Sequence, residues 1–311
     1  MNKPIYLVHA DEYKNWIFDP NHPTQGRRFT NAYDLLISTA KAQEIEIVVV
    51  LPRLATKSEL ERVHSPTYIK QVLDEHTCDE WDGPRPDMSY LAALFVGGTL
   101  TALEALLTKK TNLAINFPGA KHHAQFDHAS GFCIFNDFAL AADIATKEYG
   151  LNVAILDIDG HHGDGVENLT ADNPKVLTYS VHQSGIFPGT GDESSTGRFY
   201  NCPLKDGAGD SELLDAVEGF IYMIGARDRI WDWRPDLIFI TCGADGHKED
   251  PLTGLAYSTD GYVSVARMVR KRFPDLPILL GGAGGYLPDT RTPEVWVNVA
   301  IALSKEGEVN G

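Results

Sequence analysis

The chain has 311 residues, 43% of them apolar and 23% charged, with 28 glycines and 17 prolines. These fractions exclude a disordered, collagenous or disulfide-framework chain, and a chain of this length buries roughly 75% of its unfolded surface without staples. With 43 acidic against 27 basic residues, a net of −16, it repels phosphate backbones and anionic lipid, so the expectation is no nucleic acid and no membrane partner.

From the N-terminus, the first apolar run, Ile5–Val8, is short and is followed at once by acids. It reads as a strand rather than a signal-peptide core. Residues 9–30 are non-periodic. A helix is expected over Asn31–Gln43, with Leu35, Leu36 and Thr39 on one side, and then a strand over Ile45–Leu51. Ser65 and Pro66 have the character of an N-cap and first helical residue, opening a helix that reaches Glu75. A second long loop spans 76–88, followed by an apolar helix over Ser89–Leu107. Its Leu91–Leu107 stretch contains Gly97, Gly98, Thr99, Thr101 and Glu104, and reads as a buried helix rather than a membrane span. Next come a strand over Leu113–Asn116, a helix over Asp137–Tyr149, and strands over Val153–Leu156 and Val176–Val181. A third long loop, 182–210, precedes a helix over Asp210–Trp231. A strand over Leu237–Thr241, a helix over Thr259–Arg272, a strand over Ile278–Leu280 and a helix over Pro293–Ser304 complete the chain.

The strand segments are nearly continuous in Val, Ile and Leu, as expected where both faces are covered. Strand–helix alternation predicts an α/β chain: one three-layer αβα domain over residues 1–311 with a mostly parallel sheet. Cys78, Cys133, Cys202 and Cys242 are widely spread with no CxxC pair, which reads as a reduced compartment and a cytoplasmic location.

Five strand segments run into polar or glycine-rich clusters. These are Phe117–His123, Asp157–Asp164, Ser180–His182, Cys242–Asp245 and Gly281–Tyr286. In a parallel sheet these C-terminal ends lie along one edge, where open α/β proteins bind ligands. Asp157, Asp159 and His161 alternate, so a strand would point all three to one face. Two carboxylates and an imidazole there call for a cation. A lone Asp-x-Asp is more often a solvated strand end, but the full string Asp157-Ile-Asp-Gly-His-His-Gly-Asp164 is far more specific. Asp245 can supply the third ligand. Two carboxylates and one histidine leave a position open on a catalytic Zn²⁺, and Fe²⁺, Mn²⁺ or Co²⁺ suit the same donors. His247 could add a ligand, although a solvent-facing loop histidine is the commoner outcome.

His122 and His123 would point oppositely on a strand, so both face one site only if the chain bends, and Gly119 allows a bend. Asp157 and Asp164 are available to orient them as acid and base. Tyr286, after Gly281-Gly-Ala-Gly-Gly285, could donate a hydrogen bond to an oxyanion.

Gly131-Phe-Cys-Ile-Phe-Asn-Asp137, Asp157–Glu167, Phe187-Pro-Gly-Thr-Gly-Asp192, Cys242–Asp245 and Gly284-Gly-Tyr286 together resemble the zinc-dependent histone deacetylase family, which includes bacterial acetoin-utilisation-like and acetylpolyamine amidohydrolase members. The matching order runs from Arg28 to Tyr286. The resemblance implies an arginase/deacetylase-like fold and hydrolysis of an acylated amine to acetate and free amine. It implies Asp159, His161 and Asp245 as zinc ligands and His122 and His123 as the catalytic pair, backed by Asp157 and Asp164. Tyr286 would polarise the carbonyl. Phe132 and Phe187 would wall the acyl-lysine channel beside Gly131 and Gly284, with Leu252 at its rim. More loosely, Asp82 resembles a rim acid and Arg28 an internal-channel arginine. A K⁺ ion near Asp157, Asp159, His161, Ser180 and Val181 is also implied.

This sequence departs from the family at Lys121, which places a cation next to the base, and at Ala283 in the glycine run. The acyl group's carrier stays open between protein lysine, polyamine and a small metabolite. A two-metal ureohydrolase on the same fold is the nearest enzymatic alternative, but it needs a second set of bridging carboxylates. A non-catalytic acyl-amine binding protein is the alternative outside enzymes.

Overall fold

The structure, a computed structural model, describes residues 3–192, 197–225 and 233–305. Its strands are β1 (Ile5–Val8), β2 (Ile47–Val50), β3 (Leu113–Asn116), β4 (Val153–Asp157), β5 (Val176–Gln183), β6 (Phe199–Leu204), β7 (Leu237–Thr241) and β8 (Ile278–Gly281). Its α-helices are α1 (Arg27–Ala42), α2 (Lys57–Leu60), α3 (Pro66–Leu73), α4 (Pro86–Leu107), α5 (Asp137–Lys147), α6 (Asp164–Thr170), α7 (Asp210–Gly225), α8 (Thr259–Arg272) and α9 (Arg291–Ser304).

The strands form one sheet in the order β2-β1-β3-β8-β7-β4-β5-β6. Every neighbouring pair is parallel. Parallel neighbours need crossover connections, and these lay helices on both faces. On one side α1, α9, α8 and α7 pack in series, and on the other α3, α4, α5 and α6 do. The inner strands β3, β4, β5, β7 and β8 are buried along their whole length. This explains why they lack the polar alternation of a half-solvated strand.

The register brings the strand ends level. Asn116 pairs with Gly281, Gly281 with Thr241, Thr241 with Asp157, and Asp157 with Ser180. β3, β8, β7 and β4 are consecutive neighbours, so the segments that follow them emerge side by side.

Local chemistry sets the helix boundaries. Ser65 caps α3 by accepting the Tyr68 N–H, with Pro66 opening the helix. Asn136 caps α5 by accepting the Ala139 N–H at 3.0 Å, and Ser258 caps α8 in the same way. α4 is long and apolar enough to cross a membrane, but most of it is buried against β1, β3 and β8.

Several expectations change. Loop 182–210 contains β6, an edge strand paired only with β5. On α1 the buried side is Ala32, Leu36 and Ala40, while Leu35 is exposed. α7 is described as far as Gly225, and its expected continuation to Trp231 lies outside the described residues.

Candidate metal centre and active site

β4 ends at Asp157, and the chain then descends in a stepped turn rather than continuing as a strand. The Asp159 N–H donates to Asp157 Oδ1 and the His161 N–H to Asp159 Oδ1, each at 3.0 Å. The Gly160 N–H reaches Asp245 Oδ1 at 2.8 Å. These turns, not strand alternation, bring Asp159 and His161 together with Asp245, which follows β7. One ligand atom from each of the three residues lies within 4.8 Å of the others, and all three are buried. His161 Nδ1 stands 3.2 Å from Asp159 Oδ1 and 2.8 Å from Asp245 Oδ2. Burial opposes a charge on His161, yet the hydrogen bonds to Asp159 and Asp245 raise its pKa to about 11. The trio therefore favours a positive charge among its members. Two carboxylate oxygens and one imidazole nitrogen fit a divalent metal ion. Gly284 closes the cradle: its N–H donates to Asp159 Oδ2 at 2.8 Å. A Cβ at Gly284 would lie 2.5 Å from Asp245 Oδ2 and 2.7 Å from Asp159 Oδ2.

His122 and His123 sit beyond the end of β3, where the chain does bend. The left-handed residue is Ala120, with φ +62°. Gly119 contributes space instead, since a Cβ there would lie 2.7 Å from Thr99 Oγ1. The buried Asp137 carboxylate pins this turn by accepting the N–H groups of Ala120 at 2.9 Å and Lys121 at 2.7 Å. His122 Nδ1 lies 2.7 Å from Asp157 Oδ2, and His123 Nδ1 lies 2.7 Å from Asp164 Oδ1. Each carboxylate fixes a proton on Nδ1, and the His122 Nε2 stands 3.7 Å from Asp159 Oδ1. The two rings are 4.0 Å apart. Burial disfavours charge on both, but Asp157 and Asp159 raise His122 to about 9. Burial and the neighbouring His122 hold His123 down to about 4, against Asp164.

A narrow pocket is lined by His122, His123, Gly131, Phe132, Gly284 and Tyr286, among others. Burial and Asp245 push the Tyr286 phenol well above its ordinary pKa, so it keeps its proton. The Tyr286 N–H donates to Asp250 Oδ2 at 2.7 Å. Phe187 is 49% exposed, with its ring 5.0 Å from His123 and 6.2 Å from His161. Gly131 has φ +55°, and a Cβ there would stand 2.5 Å from His123 Cδ2 and 3.0 Å from Phe187 Cε1.

Other sequence-predicted residues fall elsewhere. Asp82 and Leu252 are exposed, and neither lines this pocket. Ser180 and Val181 lie within β5, with Ser180 opposite Asp157, and the Ser180 hydroxyl is 2.9 Å from His182 Nδ1. His247 is buried rather than solvent-facing. Its Nδ1 accepts the Glu249 N–H at 3.2 Å, and it is not part of the ligand cluster.

Several supporting residues escaped the sequence reading. Asp137 and Asp250 hold backbone N–H groups beside the site. Half-buried Glu80 takes a hydrogen bond from the Phe132 backbone while burial raises its pKa. His162 turns away from the metal cluster to Thr190 Oγ1 at 2.8 Å and Glu167 Oε2 at 3.1 Å, tying down the loop that carries Phe187. The only sequence signal for Asp137 and His162 was their place inside the dense motifs. Glu80 and Asp250 gave none.

Known proteins share this arrangement of sequence. The chain is 33% identical to the acetoin utilization protein AcuC of Bacillus subtilis (strain 168), over 96% of this chain and 81% of that protein. It is 34% identical to histone deacetylase 8 of Xenopus tropicalis, over 92% of this chain and 80% of that protein. Identity to AcuC of Staphylococcus aureus (strain MRSA252) is 30%, covering 97% and 82% respectively. The histone deacetylase domain matches residues 22–303, and the chain therefore belongs to the histone deacetylase domain family.

Proposed function

We propose that this chain is a deacetylase that hydrolyses an N-acylated amine to a carboxylate and a free amine. The observation that carries the reading is one convergence. The Asp159, His161 and Asp245 ligand atoms gather within 4.8 Å, and the tandem histidines and Tyr286 line the adjoining pocket.

Asp159, His161 and Asp245 would hold a divalent ion, zinc first among the candidates. When bound, the ion supplies Lewis acidity toward the amide carbonyl and toward a water. The chain's own residues do the rest. Asp164 keeps the His123 proton on Nδ1, so Nε2 is free to take a proton from the attacking water. His122, backed by Asp157, holds positive charge beside the developing oxyanion. The Tyr286 hydroxyl donates to that oxyanion. The proton held by the histidine pair then passes to the leaving amine. Phe132 and Phe187 give an acyl-amine chain two apolar walls, and Gly131 lets the chain pass close to His123.

Charge favours one kind of carrier among those left open. The chain's net of −16 suits the cationic surroundings of an acetylated lysine or polyamine. A K⁺ ion near Asp157 and Ser180, and a cytoplasmic location, belong to the same reading. Against the two-metal alternative, among the described residues Asp159, His161 and Asp245 are the one group of three or more His, Cys, Asp or Glu side chains gathered closely enough to hold a metal ion.

The test is acetate release by the zinc-loaded protein from acetyl-lysine peptides and acetylated polyamines. Turnover of either supports the reading. Stoichiometric zinc with no acetate from any member of the panel would overturn it.

A further inference from the structure

The two histidine–carboxylate pairs of the site are held in different ways. Asp157 closes β4, and its Oδ1 accepts the Asp159 N–H at 3.0 Å while Oδ2 meets His122 Nδ1. Asp164 instead opens the short helix α6, where its side chain is 14% exposed. The carboxylate torsion of an aspartate is soft, so one hydrogen bond to His123 would leave it loosely aimed.

Gln125 holds it. Its Nε2 donates to Asp164 Oδ2 at 2.8 Å and to the His123 carbonyl at 3.1 Å, while Asp164 Oδ1 meets His123 Nδ1 at 2.7 Å. One amide thus grips both partners, the carboxylate at the oxygen His123 does not use and the histidine at its backbone. Carboxylate and carbonyl oxygens only accept, so the NH₂ end of the amide must face them. The other end agrees: Gln125 Oε1 accepts from Asn168 Nδ2 at 3.0 Å. Asp164 and Asn168 are four residues apart on α6, hence on one face of the helix, and the amide lies across both. Half-buried Gln125 is itself fixed at its backbone. Its N–H donates to the His128 carbonyl at 3.0 Å, and its carbonyl accepts from His64 Nδ1 at 2.8 Å.

We propose that Gln125 is a positioning residue for the hydrolysis, aiming the Asp164 carboxylate at His123 so that His123 Nε2 faces the attacking water. The proposal rests on the hydrolase reading for the reaction it serves. Gln125 does not line the pocket and acts through His123. Without its two donated hydrogen bonds the carboxylate and the imidazole are free to turn, and a small misalignment of a reacting group is costly in rate. The walls that meet the substrate, Phe132 and Phe187, are untouched, so the loss belongs to kcat rather than KM.

The test compares zinc-loaded wild type with Q125L and Q125E, both near the size of glutamine and both without the amide donors. Turnover of an acetyl-lysine peptide is counted per bound zinc, with folding checked by thermal unfolding. Q125L is expected to lose about tenfold in kcat with KM within about twofold of wild type. Q125E, which sets an acceptor against Asp164, should lose at least as much. Proton NMR gives a readout independent of turnover. The downfield His123 Nδ1–H resonance, identified by its displacement in D164N, is expected to move or broaden in Q125L, while that of His122 stays in place. A wild-type kcat in folded Q125L overturns the proposal, as does a loss confined to KM. Should Q125L fail to fold, a wild-type kcat in Q125E does so. If no acylated amine turns over yet the His123 signal moves in Q125L, Gln125 positions the pair and the hydrolase reading falls. If acylated amines turn over and both variants match wild type in kcat and signal, the reverse holds.

Discussion

His161 Nδ1 and Asp245 Oδ2 lie 2.8 Å apart although 84 residues separate them in sequence. They meet because β4 and β7 are neighbouring parallel strands whose ends lie level. Zinc should therefore stabilise the folded chain, by about 2.7 kcal/mol when free ion is a hundredfold above its dissociation constant. In D245N that stabilisation is expected to vanish, together with bound zinc. Thermal unfolding with and without zinc, alongside metal analysis, checks this. A full zinc shift in D245N would show that the ion sits elsewhere.

Tyr286 contributes one hydroxyl to the pocket, and its backbone is held separately by Asp250. Y286F should keep wild-type zinc content and lose about 10²–10³ in kcat. Steady-state kinetics on an acetyl-lysine peptide provides the measurement. Near-wild-type turnover would remove Tyr286 from the mechanism.

Gly131 combines a left-handed backbone with no room for a Cβ, which would lie 2.5 Å from His123 Cδ2. G131A should lose roughly 1 kcal/mol from backbone strain. Displacement of the His123 ring should cost about 10²-fold in kcat. Urea unfolding and kinetics separate the two effects. Unaltered kinetics in G131A would mean that the ring's placement is not critical.

His64 gives a pH prediction away from the metal ligands. Its Nδ1–H donates to the Gln125 carbonyl at 2.8 Å, and its Nε2 accepts the Asn136 N–H at 2.9 Å. Burial lowers its pKa to about 4. The unfolded chain takes up this proton near pH 6.5 and the folded chain only near 4, so stability falls as pH drops between those values. Integrated over that window, the loss is about 3 kcal/mol. H64Q should flatten this part of the stability–pH curve in urea unfolding at pH 7 and pH 5. A variant curve parallel to wild type would refute the assignment.

The apolar strands were legible because burial on both faces writes an unbroken Val, Ile and Leu run. β6 was not, since Phe-Tyr-Asn-Cys-Pro-Leu on a half-buried edge has no such run. α6 was hidden because it begins at Asp164, inside a motif read for its chemistry. Asp159, His161, Asp245 and the tandem histidines stood out because polar groups stacked on a strand end are chemically conspicuous. The roles of Glu80, Gln125, Asp137 and Asp250 depend on which loops the sheet brings together, and no local spacing encodes that. The stepped turn after Asp157 was misread as strand alternation because both place every second residue alike.

That same turn serves two masters through adjacent residues. His161 looks toward the ion's cradle, while His162 grips Thr190 on the segment bearing the Phe187 ring. A single peptide unit thus joins a candidate ion ligand to the anchor of the entrance loop, so a substitution at His162 is expected to disturb both the entrance and the cradle.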